Sequence, residues 1–213
     1  MRQLIARRTA SASFIRVRFT AVAVCFLTLV RQRQCGVISG LTLPATIPSR
    51  DRELLLRRAT AADLHPIIRL LSDDPISAGR GDVGSTADEA AYAEALQRII
   101  GDPSNDVLVL EDELAAVIGT LQLTVIPGMA RRGSARLLVE AVRVSGTERS
   151  SGVGTSLMRW VVAQAAIELR TPLVQLTSDA ARTDAHRFYR RLGFIDSHVG
   201  FKFTVSLPDA PAR

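Results

Sequence analysis

The stretch Val142-Arg-Val-Ser-Gly-Thr-Glu-Arg149-Ser-Ser-Gly152-Val-Gly154-Thr155 constrains this 213-residue chain more than any other. A strand pattern ends, a polar loop turns, and two glycines one residue apart open a helix. On that helix Val153, Leu157, Val161, Ala165 and Leu169 share one face. The switch from period two to period 3.6 fixes a strand–loop–helix unit, so the chain must build a sheet with helices laid on it. The loop also has a chemical property. The start of a helix presents unpaired N–H groups and the positive end of its dipole, and glycine lets backbone approach an anion closely. Arg149, Ser150, Ser151 and Thr155 add donors, so a pyrophosphate fits the nest formed by Arg149, Ser150, Ser151, Gly152, Val153, Gly154 and Thr155. Two other phosphate loops do not match. Leu157 stands where a dinucleotide fingerprint needs its third glycine, and a Walker A loop needs a lysine, whereas Lys202 is the only lysine in the chain.

The remaining periodicities place the other elements. Leu54 to Leu56 reads as a short strand, Thr60 with Asp63 as a capping box, and Leu64, Ile67, Ile68 and Leu71 as the stripe of a half-buried helix. A loop from Asp73 to Gly84 follows. Thr86 and Glu89 form a second capping box ahead of a helix faced by Tyr92, Leu96, Ile99 and Ile100. Strands are predicted over Val107 to Leu110, Leu114 to Val125, Ala135 to Val144 and Leu173 to Leu176. Helices are predicted from about Gly152 to Leu169 and from Asp184 to Leu192, the latter ended by Gly193, and Phe194 to Val205 reads as a closing strand pair. An antiparallel half followed by a β-α-β unit gives an α/β fold with a mixed sheet and helices on both faces.

Charge divides the chain. The net charge is +6, from 27 basic and 21 acidic residues; residues 1–50 hold eight arginines and no acid, which leaves 19 bases against 21 acids, or −2, beyond them. That balance gives residues 51–213 no attraction for nucleic acid, and the domain boundary is expected at about residue 50. The apolar run Phe19 to Val30 is too short to span a bilayer, which takes about 20 residues. The segment can be read as a presequence without an A-x-A-like cleavage site, as a membrane-surface anchor, or as the product of a start codon assigned too far upstream. Membrane contact is expected only if the segment is native. Both cysteines, Cys25 and Cys35, lie in it, so residues 51–213 contain no thiol for a disulfide, a Cys-based metal site or an acyl-enzyme. His65, His186 and His198 form no H-x-x-x-H pair, and no metal is expected.

Three motifs in order resemble the GNAT superfamily of acetyl-CoA-dependent N-acetyltransferases. Arg149-Ser-Ser-Gly152-Val-Gly154 matches its R/Q-x-x-G-x-G/A motif, Val139-Glu140-Ala-Val142-Arg-Val144 resembles the strand before that motif, and Ala185-His-Arg-Phe188-Tyr189-Arg-Arg-Leu-Gly193-Phe194 resembles its A-x-x-F-Y-x-x-x-G-F signature. Thr60-Ala-Ala-Asp63 is similar to the family's first strand-to-helix junction, and the likeness spans about residues 54–205. The resemblance implies a sheet whose fourth and fifth strands splay apart to admit acetyl-CoA. It implies backbone pairing of Val142 and Val144 with the pantetheine arm, a pyrophosphate on residues 149–155, and Tyr189 as general acid. Two positions depart from the family pattern: Arg182 where Asn is common, which could pair with a phosphate oxygen, and Ser145-Gly146 where Asp-Pro is frequent.

Acetyl transfer to an amine needs a neutral amine, an aligned thioester, a donor for the oxyanion and a proton for the thiolate. Period-two alternation puts Glu140 on the face of Val142 and Val144, where burial would raise its pKa and suit it to take the amine's proton, directly or through water. A structural ion pair with Arg136 or Arg143 is the alternative. Tyr189 is read as proton donor or as core aromatic, His65 and His186 as surface or packing residues, and Arg131 and Arg132 as solvated. The expectation is a cytoplasmic acetyltransferase, monomer or homodimer, acting on a small primary amine by direct transfer in a ternary complex. A non-catalytic acyl-CoA-binding sensor, possibly tethered by its N-terminal segment, stands beside it.

Overall fold

The computed structural model describes residues 37–205. The Arg-rich start and the apolar run Phe19 to Val30 lie outside them. Among the described residues six strands form one sheet in chain order: β1 (Ala45–Ser49), β2 (Arg52–Arg58), β3 (Asn105–Glu111), β4 (Val117–Ile126), β5 (Arg136–Val144) and β6 (Val174–Leu176). Neighbours run antiparallel up to β5, and β5 and β6 are parallel. The helices are α1 (Leu64–Ser72), α2 (Pro75–Ala78), α3 (Glu89–Gly101), α4 (Val153–Trp160, continued by a π turn, Val161–Ala165, and Ala166–Glu168) and α5 (Thr183–Arg191). This is the mixed α/β sheet the pattern predicts.

Strand β3 shows why helices cover both faces. Its successive side chains point to opposite sides, yet Val107, Leu108, Val109 and Leu110 are all buried. Leu108 and Leu110 join one core with Leu121, Leu123, Leu137 and Val139, closed by Val153, Leu157, Trp160 and Val161 of α4. Val107 and Val109 join a second core with Val117, closed by Ile67 and Leu70 of α1 and Leu96 of α3. A strand that is apolar on both faces has to lie between two layers.

Local chemistry sets the helix starts. Asp63 accepts hydrogen bonds from Thr60 N (2.7 Å) and Thr60 Oγ1 (2.9 Å) and pairs with Arg57, whose guanidinium holds its carboxyl down at about 2. Before α3 the cap is Ser85, whose Oγ accepts from Ala87 N at 3.2 Å, rather than Thr86.

Three expectations are corrected. Residues 37–50 belong to the sheet domain: β1 pairs with β2 from Ala45↔Leu56 to Ser49↔Arg52, and Ile38, Leu41 and Ile47 are buried. Arg58, paired with Asp106, also donates to Ile38 O (3.1 Å) and Leu41 O (3.3 Å), tying this lead-in to the core. The change in charge at residue 50 is therefore compositional and marks no edge of the fold. Pro48 is tolerated because β1 is an edge strand. Second, the loop Asp73 to Gly84 contains α2. Third, Phe194 to Val205 forms no strand, and Ile195, Val199, Phe201 and Phe203 stand exposed. Alternation in that segment records a capacity for one-sided burial, and β6 is too short to offer it a matching edge. Among the described residues no helix is long and apolar enough to cross a membrane.

Candidate active site

Strand β5 keeps two neighbours for only part of its length. Leu137, Leu138 and Val139 pair with β6 through Val174, Gln175 and Leu176, and there the pairing stops, although β5 continues to Val144. The splay between the two strands opens at Glu140. A bulge sits at the same point: Gln122 of β4 faces Glu140 while Thr120 faces Arg143, so β5 carries one residue more than its partner, and Ala141 takes a left-handed φ of 49°.

The bulge reverses the phase of the strand. Leu137 and Val139 lie in the α4-side core, and beyond the extra residue Val142 and Val144 pack against that same core. Glu140 is thereby on the opposite face from Val142 and Val144, and it is exposed. The expected buried carboxylate beside the two valines is overturned, because alternation was counted through a position where the backbone inserts one residue. Neither Arg136 nor Arg143 pairs with Glu140 among the described residues.

Beyond β5 the loop reaches the start of α4 with Ser150 and Gly152 both left-handed, at φ 65° and 97°. Among the described residues no acceptor is bound by the N–H groups of Ser150, Gly152, Val153, Gly154 and Thr155; the helical ladder begins with Ser156 N to Gly152 O at 3.0 Å. These N–H groups form the predicted anion nest. A Cβ at Gly154 would lie 3.6 Å from Phe188 Cζ and 3.8 Å from Val144 Cγ2, so α4, β5 and α5 converge there. The loop's side chains are largely engaged within the protein. Arg149 Nη2 donates to Asp73 O (2.8 Å), Gly146 N donates to Asp73 Oδ2 (2.9 Å), and Ser151 Oγ donates to Glu148 O (2.6 Å). The guanidinium set against the nest is Arg50, which donates to Ser150 O, with its Nε 3.5 Å from where a Gly152 Cβ would stand. Sequence reading missed Arg50 because it fell in the segment set aside on charge. An open groove lined by Arg69, Ser72, Asp112 and Val117 also borders residues 145–148, but neither the nest nor Tyr189 is among its walls.

Tyr189 lies on α5, edge-on to Phe188 (ring centroids 5.1 Å) and to Phe194 (5.8 Å), and packs against the α4-side core with Val142 and Val144. Burial raises its pKa above the usual tyrosine value, against the opposing pull of the Arg143 and Arg182 guanidiniums. Its hydroxyl has no hydrogen-bond partner among the described residues. A phenol that stays protonated and uncommitted can donate a proton.

A polar cluster missed in the sequence gathers beside it. Arg182 pairs with Asp74, and its Nη2 is 3.2 Å from Ser77 Oγ; Arg143 donates to Ser77 Oγ (2.5 Å) and to the Val142 carbonyl (2.9 Å), and lies 3.8 Å from Asp74 Oδ2. Burial, then the like charge of Arg182, lowers the Arg143 pKa. Arg143 Nε is buried without any acceptor, a deficit that costs on the order of 1–3 kcal/mol. Burial works to raise the carboxyl of Asp74, but hydrogen bonds from Ser77 and the charge of Arg182 bring it below its usual value. Arg80 also pairs with Asp179, so the α2 segment is fastened across the ends of β5 and β6. The available signal was Arg143, a charge set between two valines near the end of the strand.

Among the described residues no group of three or more His, Cys, Asp or Glu side chains is placed to hold a metal. The family described as "Acetyltransferase (GNAT) family" matches residues 65–194. A crystal structure of a transcriptional regulator from Bacillus halodurans C-125 is similar with TM-score 0.67 and 34% identity, over 71% of this chain and 99% of that one. The fold is shared with glucosamine-6-phosphate N-acetyltransferase from Arabidopsis thaliana (TM-score 0.57, 16% identity, 72% and 99% covered). It is shared too with ribosomal-protein-alanine N-acetyltransferase from Brucella melitensis biovar Abortus 2308 (TM-score 0.56, 18% identity, 72% and 99% covered). No curated protein matches the chain.

Proposed function

Because the chain belongs to the acetyltransferase (GNAT) family, we propose that it transfers acetyl from acetyl-CoA to a primary amine of a small molecule, directly and within a ternary complex. The observation that carries this reading is the half of β5 without a second neighbour, which runs into unpartnered N–H groups at Gly152–Thr155 and passes beside Tyr189. Bound acetyl-CoA would supply the activated thioester. Backbone groups of Val142 and Val144 would hold its extended arm as an added strand, and the nest from Arg149 to Thr155, with Arg50, its pyrophosphate. The Val142 carbonyl already accepts from Arg143, which leaves it one lone pair for that task.

Tyr189 holds the proton for the departing thiolate: a phenol is protonated at neutral pH, and burial raises its pKa further. Glu140, exposed where the splay begins, can serve only as a solvent-facing acceptor of the amine's proton, directly or through water. Residues 51–213 contain no cysteine to carry an acyl group, which favours direct transfer. The test is thiol release from acetyl-CoA over a panel of amines. Tyr189→Phe should lower kcat by about 10- to 100-fold with acetyl-CoA affinity unchanged. An unchanged kcat sinks the acid role.

A second reading has one observation in its favour: the 34% identical protein from Bacillus halodurans carries the name of a transcriptional regulator. A chain that binds acetyl-CoA but releases no thiol with any amine would be a non-catalytic acyl-CoA-binding module.

A further inference from the structure

Arg143 and Arg182 are more basic donor than the protein itself satisfies. The two guanidiniums share one carboxylate, Asp74, and one hydroxyl, Ser77. Of the guanidinium nitrogens of Arg182 only Nη2 has a partner among the described residues, and Arg143 Nε is buried with none. The other charges nearby are already engaged: Asp82 accepts from Tyr92 Oη at 2.9 Å, and Asp179 pairs with Arg80. In the connection from β6 to Arg182, Ser178 Oγ is a further buried group without a partner. Buried polar groups in folded proteins are nearly always hydrogen-bonded, so unmatched donors on two adjacent cations point to an anion that arrives with a ligand. Arg143 donates to the carbonyl of Val142, which packs with Tyr189 on one core, and Arg182 directly precedes the helix that carries Tyr189, so the pair stands at the reacting end of the site, whereas the phosphate nest lies at the start of α4.

We propose that Arg143 and Arg182 seat an oxyanion carried by the acceptor, so that the amine acetylated by this chain bears a carboxylate or a phosphate. This rests on the acetyltransferase reading and narrows its substrate class. Planar guanidiniums take either oxyanion through paired N–H donors, and the α2 segment, held by Asp74, Ser77 and Arg80, closes over the ligand from the loop side.

The test uses matched amines that differ only in the anion: amino acids against their C-terminal amides, and O-phosphoethanolamine against ethanolamine. With the full chain, kcat/KM should favour one anionic series over its neutral partners by about tenfold or more, and the series favoured separates carboxylate from phosphate. In Arg182→Gln that ratio should fall to within about threefold, while KM for acetyl-CoA stays within about threefold of wild type. Arg143→Gln should act in the same way; because Arg143 is part of β5, Arg182→Gln carries the test if the first variant misfolds. Thermal shift with the same amine pairs in the presence of coenzyme A gives a readout that needs no turnover. Binding of coenzyme A and the anionic amine without thiol release would sink the enzyme reading and keep the anion seat. The proposal is overturned if no pair is discriminated in turnover or binding, if discrimination survives Arg182→Gln, or if that variant raises KM for acetyl-CoA and leaves the ratio intact.

Discussion

The two halves of β5 are continuous in sequence and opposite in physical character. From Leu137 to Val139 the strand has a neighbour on each side, and Leu137 and Val139 are fully buried. From Glu140 to Val144 it has one neighbour, contains a bulge, and mixes half-buried valines with a half-buried arginine whose Nε is buried. The first half stores stability in packing and ladder hydrogen bonds. The second gives up one ladder and part of the packing and gains an edge that can pair with something other than protein. A single extra residue separates a structural segment from a functional one.

The largest effect expected from this contrast is on stability. Leu137→Ala, at a site with no exposure, should cost about 3 kcal/mol through lost transfer energy and the cavity left behind. Val144→Ala, half-buried at the open end, should cost under about 1 kcal/mol while raising KM for acetyl-CoA. Urea denaturation and initial-rate kinetics on both variants check the pair. Equal stability losses would erase the distinction between the halves.

The two loop glycines sharpen the same comparison at smaller scale. At Gly152 an added Cβ meets only ordinary contacts, with Arg50 at 3.5 Å and Ser49 Oγ at 3.8 Å, but the backbone φ is +97°. Gly152→Ala should therefore cost about 1–2 kcal/mol through backbone conformation and weaken acetyl-CoA binding about tenfold by reorienting the nest. Gly154 has no such φ, and its Cβ would fit at 3.6 Å from Phe188. Gly154→Ala should be nearly silent in stability. Isothermal titration with acetyl-CoA alongside chemical denaturation separates the two, and a larger loss at Gly154 would mean that packing rather than backbone conformation sets the nest.

Much of the fold and half of the site could be read from residue patterns. Periodicity located α1, α3, α4, α5 and five of the six strands, because each buries a face whose period is visible. The nest was legible because glycines mark it. Strand β1 was hidden by its company: Pro48, Arg50 and an acid-free composition resemble an appendage, although Ile47 is core. The placement of Glu140 failed for a different reason. Ala141 adopts a conformation that sequence normally signals with glycine or asparagine, so nothing warned that the alternation breaks. The Asp74–Arg182–Arg143 cluster was invisible because it joins three segments far apart in the chain, up to 108 residues between Asp74 and Arg182, a separation at which no local pattern carries information.

The smallest effect tests the hinge of the comparison. Ala141 holds φ at 49°, where an L side chain costs about 1 kcal/mol that glycine does not incur. Ala141→Gly relieves this strain but gives the unfolded chain more conformations to lose, about 0.5–1 kcal/mol in the opposite direction. The net change should lie within about 0.5 kcal/mol of zero, with KM for acetyl-CoA unchanged, since bulge and open edge both persist. Deleting Ala141 removes the extra residue, so that Val142 follows Glu140 directly and plain alternation keeps Val142 and Val144 on the face of Leu137 and Val139, opposite Glu140; the shortened strand should fold and still bind acetyl-CoA. If the deletion abolishes acetyl-CoA binding in a folded protein, the bulge itself, and not the facing of the two valines, opens the edge. If the glycine variant loses more than about 1 kcal/mol, the alanine methyl itself packs the bulge, and what opens the edge is side-chain contact rather than backbone register.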